Sequence, residues 1–470
     1  MIDERLRHVA VTEPDAVSFI DGDRRLTYGE WDWLSDRAAY SLAAEGVRAG
    51  DVVAILVAPG IAYPIAYAGA AKIGAVTAGI NPRLSPREKS AVLEHSRARA
   101  LVTDDADAPS PGILLTPEQL MRPGAAPPAA TSDPDAPVAI VYTSGSTGSP
   151  KGATFTAGAL EAVRRIEAAA EPLDHPRVLQ AIPMQHMHFM TKIEAFIERR
   201  TTAVLMDRWT AAAALAAIAQ HRLTTFGGVP AQLELMLMDP ALEQTDLSSI
   251  ARITIGGAPV TPALAGRVRR AFGVPVTVRY SCTELAVCTA TAPDDPDEVV
   301  AHTVGRPLPE VDVQLLGVGD DGVGEVLARS LAMMRGYWPG RGDGLDEHGW
   351  FHTGDLGRVR ADGRLQLVGR AKEMYIRGGY NVYPVEVEAA LAEHPSIGLA
   401  AVFGIPDDVL GERGKAIVVC DEPLDEVAIR AFLAGRIADY KIPDVLEVRR
   451  ELPLTPTGKV DKRALQQEAR

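Results

Sequence analysis

Residues 142–152, Tyr-Thr-Ser-Gly-Ser-Thr-Gly-Ser-Pro-Lys-Gly, have the composition of a phosphate-binding loop. The glycines allow backbone N–H groups to turn toward an anion, four hydroxyl residues within five positions add donors, and Lys151 adds a cation. A nucleoside triphosphate needs such a cradle. The run is not a Walker loop, because no Gly-Lys-Ser/Thr closes a six-residue glycine spacing. The alternative is a flexible surface loop, but the preceding apolar stretch 138–141 favours phosphate binding.

Other glycine-rich and charged motifs lie on both sides of this loop. Before it come Leu26-Thr27-Tyr28 and Asn81-Pro82-Arg83; after it come Gly256-Gly257-Ala258-Pro259, Tyr280-Ser281-Cys282-Thr283-Glu284, Trp350-Phe351-His352-Thr353-Gly354-Asp355, Gly369-Arg370-Ala371-Lys372-Glu373, Gly378-Gly379-Tyr380-Asn381-Val382-Tyr383-Pro384 and Leu452-Pro453-Leu454-Thr455-Pro456-Thr457-Gly458-Lys459. In this order the motifs resemble those of the adenylate-forming superfamily, and most closely its acyl-CoA synthetase branch. The resemblance extends over nearly the whole chain.

The resemblance implies a site for ATP and its AMP product. The residues it assigns to the nucleotide are Thr143, Ser144, Gly145, Ser146, Thr147, Gly148 and Lys151 at the phosphates, Gly257, Ala258 and Pro259 at the adenine, Tyr280 and Ser281 beside them, and Asp355 and Arg370 at the ribose. It also implies that Thr283 meets the phosphates and that Glu284 helps to hold Mg²⁺, an ion that prefers hard oxygen ligands. The simpler alternatives are a turn aspartate for Asp355 and an interdomain salt bridge for Arg370.

The implied reaction begins with activation of a carboxylate. Transfer of AMP onto the carboxylate gives a mixed anhydride and releases pyrophosphate. Because two anions must meet, catalysis depends on positioning and charge neutralisation. Lys459, a compact cation on a long stem, is predicted to bridge the carboxylate and the α-phosphate, with Glu284, Thr283 and His186 completing the catalytic group. The alternative for Lys459 is a solvated surface charge.

The second half of the implied reaction passes the acyl group to a thiol. The resemblance implies rotation of a small C-terminal domain about Lys372, since hinges are a few junction residues that absorb a backbone change. Gly378, Gly379 and Tyr380 would then line the tunnel for the thiol arm, where glycine permits close backbone approach. Coenzyme A is the expected thiol, and the phosphopantetheine arm of an acyl carrier protein is the alternative.

The predicted acyl pocket is formed by residues His186, Phe189, Phe226, Gly227, Gly228 and Cys282. The segment 183–189, Pro-Met-Gln-His-Met-His-Phe, contains a His-x-His pair, but without carboxylate or cysteine partners it indicates a pocket wall rather than a metal site. These segments carry no conspicuous charge, so a largely apolar acid is favoured, as in fatty acid metabolism. Cys282 has no readable histidine partner and is predicted to be a wall residue rather than a nucleophile.

The composition limits the partners and the compartment. A formal net charge of -14 without a basic block argues against nucleic acid. The three cysteines Cys282, Cys288 and Cys420 are few and poorly spaced for metal, which suits a reducing compartment. The N-terminal residues form no apolar signal core, and no apolar run approaches about eighteen residues. We therefore expect a cytoplasmic enzyme without membrane insertion, acting on small molecules as a monomer or homodimer.

The elements that must position these residues follow an α/β pattern. Buried strands are predicted at 52–57 and 100–103, helices at 61–72, 85–95 and 210–221, and a surface connection at 104–137. Beyond 370 the pattern is compact: helices at 385–394 and 425–438, and strands at 399–403 and 416–420. We expect a large N-terminal domain of layered α/β subdomains over 1–370 and a small mobile α+β lid over 371–470.

Two functions remain besides the CoA ligase. A ligase that charges a carrier protein uses the same first half-reaction. A nucleotide-binding homologue without activity is the alternative of another class, although Lys151, Glu284, Asp355, Arg370 and Lys459 are all present.

Overall fold

The strands of the chain form five sheets, which we number here. The computed structural model describes residues 2–105, 107–109, 111–124, 133–143, 150–258, 260–320, 322–420, 425–455 and 459–469. Within these ranges, sheets 1 to 4 lie before residue 371 and sheet 5 lies after it. The predicted boundary between 370 and 371 therefore falls between two sheets.

Sheet 1 has six strands, and its order along the sheet is Ile113–Leu115, Ala100–Thr103, Val52–Leu56, Val76–Gly79, Pro137–Thr143 and Lys151–Thr156. All its neighbours pair in parallel except the last two, which form an antiparallel pair on either side of the predicted phosphate loop. Val52–Leu56 and Val76–Gly79 are buried throughout, as expected for parallel strands covered on both faces.

Sheets 2 and 3 carry the next parallel strands. Sheet 2 has the order Arg24–Thr27, Val17–Asp21, Thr202–Leu205 and Arg177–Gln180. Sheet 3 has the order Thr225–Gly228, Arg252–Gly256, Val276–Tyr280, Thr289–Ala290 and Arg306–Pro307. The first three strands of sheet 3 are parallel, so their carboxyl ends meet at one edge, and Gly228, Gly256 and Tyr280 end there together.

Sheets 4 and 5 lie on either side of the predicted hinge. Sheet 4 is an antiparallel meander of Val311–Leu316, Gly324–Ser330, Phe351–Val359 and Leu365–Arg370. Sheet 5 has the order Tyr380–Val382, Tyr375–Arg377, Gly411–Val419 and Leu399–Asp407, with Val445–Arg449 paired to Gly411–Val419. Two apolar clusters are made only of residues beyond 370, so this part of the chain has its own core.

Helices cover the sheets, and several of them start at a side-chain cap. The α-helices are Ile2–Thr12, Tyr28–Ala44, Ala62–Lys72, Pro86–Ser96, Pro117–Leu120, Ala157–Ala170, Met187–Met190, Ile193–Glu198, Ala211–His221, Pro230–Met238, Pro262–Phe272, Asp297–His302, Pro384–Ala392, Glu426–Ala434 and Lys462–Glu468; Pro240–Gln244 and Asp439–Lys441 are 3₁₀ turns. Ser85 and Glu88 form a reciprocal capping box at one predicted start. Within the described ranges, no helix has the length and apolarity needed to cross a membrane.

Two sequence predictions differ from the structure. The predicted surface connection at 104–137 contains the strand Ile113–Leu115, which extends sheet 1, and the helix Pro117–Leu120, whose Leu120 is buried. The proline, alanine and glycine content hid these short elements. The helix predicted at 425–438 ends at Ala434, and Gly435 follows it.

Gly69 lies where two helices on sheet 1 pack closely against each other. A Cβ at Gly69 would lie 2.5 Å from Ala38 Cβ and 3.1 Å from both Ala39 N and Ser35 O. We expect Gly69→Ala to destabilise the protein by about 1–3 kcal/mol because it overpacks this contact. Gly266→Ala is the matched control: its Cβ would meet only the end of Arg270 at 3.4 Å, and alanine favours helix. Chemical unfolding should therefore shift in opposite directions, and equal shifts would contradict the packing argument.

Candidate active site

A buried carboxylate joins sheet 3 to sheet 4 at one end of the predicted nucleotide site. Asp355 and Arg370 face each other across neighbouring strands, and Arg370 Nε lies 2.7 Å from Asp355 Oδ1. The hydroxyl of Tyr280 donates to Asp355 Oδ2 at 2.7 Å, and Asp355 is only 5% exposed. Both carboxylate oxygens are therefore held in fixed directions by groups from two other strands.

The pKa shifts in this cluster follow from burial and from the Asp355 charge. Burial and the adjacent carboxylate raise the pKa of Tyr280, so its hydroxyl remains a donor. Burial alone would lower the pKa of Arg370, but the charges of Asp355 and Glu373 outweigh it and raise that pKa. Arg370 is therefore held as a cation beside the predicted ribose position.

The C-terminal segment brings Lys459 to the edge of sheet 3. A Cβ at Gly257 would lie 3.4 Å from Lys459 Cε, and Gly257 itself has a φ of +79° that favours glycine. Two hydrogen bonds hold the segment: the Lys459 N–H donates to Thr455 Oγ1 at 3.1 Å, and the Thr455 N–H donates to Lys459 O at 2.7 Å. The side chain of Lys459 is thus packed against the predicted adenine segment.

Lys459 and His186 share one electrostatic environment. Burial and the positive charge of Arg370 lower the pKa of Lys459. Burial and the charge of Lys459 lower the pKa of His186 to about 4, so its imidazole is neutral at neutral pH. His186 also caps the helix Met187–Met190 by accepting from the His188 N–H at 3.5 Å. The two predicted catalytic residues therefore come together although they are far apart in the sequence.

A tyrosine that sequence reasoning missed connects Lys151 with Glu284. The hydroxyl of Tyr337 donates to Glu284 Oε1 at 2.7 Å, and Lys151 Nζ lies 5.1 Å from the centroid of the Tyr337 ring. Burial and the Glu284 charge raise the pKa of Tyr337, so it remains a donor. The Trp338 N–H donates to Gly152 O at 2.8 Å, which attaches this segment to the strand behind Lys151. A lone tyrosine outside any motif carried no signal in the sequence.

Family profiles match most of the chain. The profile described as AMP-binding enzyme matches residues 6–338, and the profile for the AMP-binding enzyme C-terminal domain matches residues 386–459. The chain belongs to the AMP-binding enzyme family. Within that family it is an AMP-forming acid–thiol ligase of the acyl-CoA synthetase branch of the adenylate-forming superfamily, as the sequence predicted.

Characterised relatives of this ligase match it over nearly their whole length. The long-chain-fatty-acid–CoA ligase FadD13 of Mycobacterium tuberculosis is 31% identical over 98% of this chain and 97% of its own. The feruloyl-CoA synthase of an Amycolatopsis species is 34% identical over 96% of this chain and 95% of its own. The anthranilate CoA ligase AuaEII, solved with anthranoyl-AMP, superposes with a TM-score of 0.92 at 25% identity and covers 100% of this chain and 97% of its own. The expected fold, a large N-terminal domain with a small C-terminal one, is confirmed.

Cys282, in the segment 280–284 of the ligase, is not poised as a nucleophile. Burial and the charge of Glu284 raise the pKa of Cys282, so its thiol stays protonated. Cys282, Ser281 and Thr283 all keep some exposed surface at the end of the strand Val276–Tyr280. Among the described residues, no group of three or more histidine, cysteine or acidic side chains could hold a metal ion. This fits a pocket wall at Cys282.

Two of the predicted acyl-pocket residues of the ligase, Phe189 and Phe226, are buried in the core. Phe189 has no exposed surface and packs on Phe19, Tyr63 and Phe196, with ring centroids 6.0–6.2 Å away. Its ring faces the core. Phe226 is also buried in the core, at 2% exposure.

Gly227 and Gly228, which follow Phe226, differ in the space around them. A Cβ at Gly227 would meet no atom within 4 Å, whereas one at Gly228 would touch Phe226 at 3.1 Å. Gly227 therefore borders open space, and Gly228 packs against its own strand.

The other predicted residues of the ligase lie at the domain junction, in sheet 5, beside Gly257, in sheet 1 or outside the described ranges. Lys372 is exposed after the last strand of sheet 4. Gly378 and Gly379 form the turn of a hairpin in sheet 5, and Tyr380 stacks on Tyr440 with a centroid distance of 4.5 Å. Ala258 is described and partly exposed. The predicted ligands Ser144, Gly145, Ser146, Thr147, Gly148 and Pro259 lie outside the described residues, while Thr143 ends its strand in sheet 1.

The environment of Lys459 predicts its titration. Because burial and Arg370 disfavour the ammonium form, half of the Lys459 amine should be unprotonated, and so reactive, at a pH below its ordinary pKa of 10.5. Arg370→Gln removes the repulsion, so the midpoint should move up. Pulse labelling of amines across a pH series, with mass spectrometry of the C-terminal peptide, measures that midpoint. Arg436→Gln, which removes an arginine packed on Phe432 in the C-terminal region, should leave it unchanged. If Arg370→Gln left the midpoint unchanged, the assigned effect of Arg370 on the pKa of Lys459 would be wrong.

Proposed function

We propose that this ligase activates a small to medium, largely apolar carboxylic acid with MgATP and transfers the acyl group to coenzyme A. The observation that carries the proposal is the packing of Lys459 against Gly257, beside the Asp355–Arg370 pair. A lysine in this position can meet an anion held at the edge of sheet 3. In the first half-reaction a carboxylate oxygen attacks the α-phosphorus, and the bond to pyrophosphate breaks.

The charges around Lys459 support its role as the bridging cation. A carboxylate and a phosphate repel each other, and in a low-dielectric site one ammonium between them offsets a large part of that repulsion. Arg370 adds a second cation on the nucleotide side. Neutral His186 adds a hydrogen-bonding group without adding charge. We assign Lys459 to the carboxylate and the α-phosphate, and His186 to the carboxylate end of the acid.

Lys151, Tyr337 and Glu284 support an assignment to the triphosphate. Lys151 supplies a cation, and Tyr337 fixes the direction of one carboxylate oxygen of Glu284, which leaves the other oxygen available. A single carboxylate fits Mg²⁺, which keeps several waters and takes its remaining ligands from phosphates. When bound, the ion would neutralise charge on the departing pyrophosphate. Thr283 and the loop hydroxyls, including Thr143, are assigned to the phosphates.

Asp355 and Arg370 are assigned to the ribose hydroxyls. Among the residues that the structure describes, Oδ1 and Oδ2 of Asp355 each have one side-chain partner, and a carboxylate oxygen can accept a further hydrogen bond. Ala258 and Pro259 with Gly257, and Tyr280 with Ser281, are assigned to the adenine side. These assignments follow the order of the sequence motifs.

The acid and the thiol are proposed from the pocket wall and from the relatives. The open space at Gly227 leaves room for an apolar body, and the protonated thiol of Cys282 adds no charge to the pocket wall. The relatives act on acids as different as long-chain fatty acids, ferulate and anthranilate, which share only an apolar body. CoA is the thiol in the names of all three. A phosphopantetheine arm remains the alternative acceptor.

Thioester formation requires the thiol to approach where the C-terminal segment now lies. Gly378, Gly379 and Tyr380 are exposed or partly exposed in a hairpin, while Lys459 is in the site. We propose that rotation about Lys372 moves Lys459 out of the site and brings the hairpin with Gly378 and Gly379 into it. The thiol sulfur would then bond to the acyl carbon as the bond to AMP breaks, and the thiol proton would leave to solvent.

Two substitutions separate the half-reactions. Lys459→Ala should lower acyl-adenylate formation by about 100-fold or more, because the bridging cation is lost, yet spare thioester formation from supplied acyl-adenylate. Lys372→Pro should do the opposite, because proline fixes φ at the proposed hinge. Lys372→Ala controls for loss of the side chain alone. Pyrophosphate release and thioester yield are measured separately. If Lys372→Pro lowered both equally, the hinge assignment would be wrong.

A panel of acids and thiols tests the overall activity. We expect pyrophosphate release with apolar monocarboxylic acids, and a thioester product when CoA is added. A phosphopantetheinylated carrier protein serves as the competing acceptor. Adenylate without any CoA thioester, but with a charged carrier, would favour the alternative function. No release with any acid would overturn the enzyme proposal.

A further inference from the structure

Asp355 lies in a bulge of sheet 4. In the strand Phe351–Val359, residues 353–355 lie opposite a single residue, Val326, of the neighbouring strand Gly324–Ser330. A bulge of this kind disrupts the hydrogen-bonded ladder locally and bends the strand that carries the extra residues. The backbone groups that leave the ladder need other partners. The position of Asp355 therefore depends on the groups that hold this bulge.

The carboxylate of Glu325 is one of these groups. Its Oε1 accepts a hydrogen bond from the Gly354 N–H at 3.1 Å. Gly354 has a φ of +69°, in the left-handed region that favours glycine, so the chain makes a sharp turn here. A hydrogen bond to an ionised carboxylate is stronger than one between neutral groups. Glu325 therefore fixes the backbone one residue before Asp355.

His352 keeps the Glu325 side chain in this orientation. The ring Nδ1 of His352 lies 3.3 Å from Glu325 Oε2, and its Nε2 lies 3.6 Å from Asp346 Oδ2. Asp346 is itself fixed, because its Oδ1 accepts from the N–H groups of His348 and Trp350 at 2.9 and 2.8 Å. The two oxygens of Glu325 are thus directed to two different partners, one on the backbone and one on a side chain.

Thr353 and the domain junction hold the rest of the bulge. The hydroxyl of Thr353 donates to a carbonyl of the neighbouring strand at 2.7 Å and accepts from the Asp355 N–H at 3.0 Å. The Ala371 N–H donates to Gly354 O at 2.9 Å. Thr353, Gly354 and Asp355 belong to one sequence motif, whereas Glu325 lies outside it and reaches the bulge from the neighbouring strand.

We propose that Glu325 is a positioning residue for ribose recognition, which acts through Gly354 and sets the direction in which the Asp355 carboxylate meets the ribose hydroxyls. This rests on the proposed function, which assigns those hydroxyls to Asp355. Tyr280 and Arg370 hold the carboxylate oxygens, but Glu325 holds the backbone from which that side chain extends. Loss of the Glu325 carboxylate releases the bulge and lengthens the ribose contacts, while the phosphate contacts remain.

The test compares ATP with 2′-deoxyATP and 3′-deoxyATP in pyrophosphate release. Wild type should prefer ATP, by kcat/KM, to at least one of the two deoxynucleotides. Glu325→Leu should reduce that preference by about tenfold, the factor for one hydrogen bond to a charged group, because kcat/KM falls for ATP and hardly changes for the deoxynucleotide. Glu325→Gln keeps an acceptor for the Gly354 N–H and should retain most of the preference. Glu347→Leu, at an 87% exposed side chain before the same strand, is the matched control.

Hydrogen exchange gives a readout that does not require turnover. The Gly354 amide should exchange faster in Glu325→Leu than in wild type, because its acceptor is gone, whereas Glu325→Gln should stay close to wild type. Mass spectrometry of peptides that cover the strand Phe351–Val359 measures the difference. If Glu325→Leu did not fold, as judged by circular dichroism, Glu325→Asp would take its place, because its shorter side chain keeps the charge but moves the acceptor away from Gly354.

The outcomes separate the inference from the proposed function. A wild type that releases pyrophosphate equally well from all three nucleotides, or a preference for ATP that survives Glu325→Leu, would overturn the inference while the ligase function stands. An equal fall with all three nucleotides would also overturn it. If no acid gave pyrophosphate, the proposed function would fail, and equilibrium binding of AMP, 2′-deoxyAMP and 3′-deoxyAMP would make the same comparison. Affinity ratios that are the same in wild type and Glu325→Leu would overturn the inference in that case.

Discussion

The active-site geometry depends on the contacts of the Asp355 carboxylate. A buried carboxylate is costly unless it is paired and hydrogen-bonded, and Asp355 satisfies both requirements with Arg370 and Tyr280. Tyr280 ends a strand of sheet 3, and Arg370 ends the strand that leads into the C-terminal region. One side chain therefore fixes the edge of sheet 3, the last strand of sheet 4 and the start of the hinge relative to one another.

The same contact sets the electrostatics of the site. The chain carries a formal net charge of -14, yet Arg370 and Lys459 lie close enough for the arginine to lower the lysine pKa. Asp355 offsets only part of this repulsion. An anion between the two cations would relieve it, so the site favours a negatively charged ligand. Neutral His186 and the protonated thiol of Cys282 border these cations without weakening them.

Much of the fold could be predicted because its signals are local. The helix at Pro86–Ser96 starts at a serine cap with proline and glutamate in fixed places, and Ala211–His221 starts at Thr210. Buried strands such as Val52–Leu56 are continuous apolar runs. The strand Ile113–Leu115 was missed, because a three-residue edge strand is defined by its pairing with Ala100–Thr103 rather than by its own composition.

The sequence by itself determined the family and the acid–thiol ligase activity, and it predicted Lys151, Glu284, Asp355, Arg370 and Lys459 as site residues, because these lie in motifs with fixed spacing. Only the tertiary structure decided which side chains meet. It joined Glu284 to Tyr337, packed Lys459 on Gly257, and turned Phe189 into the core. Such contacts link residues far apart in the chain, and the direction of a side chain depends on what packs around it, which no local pattern specifies.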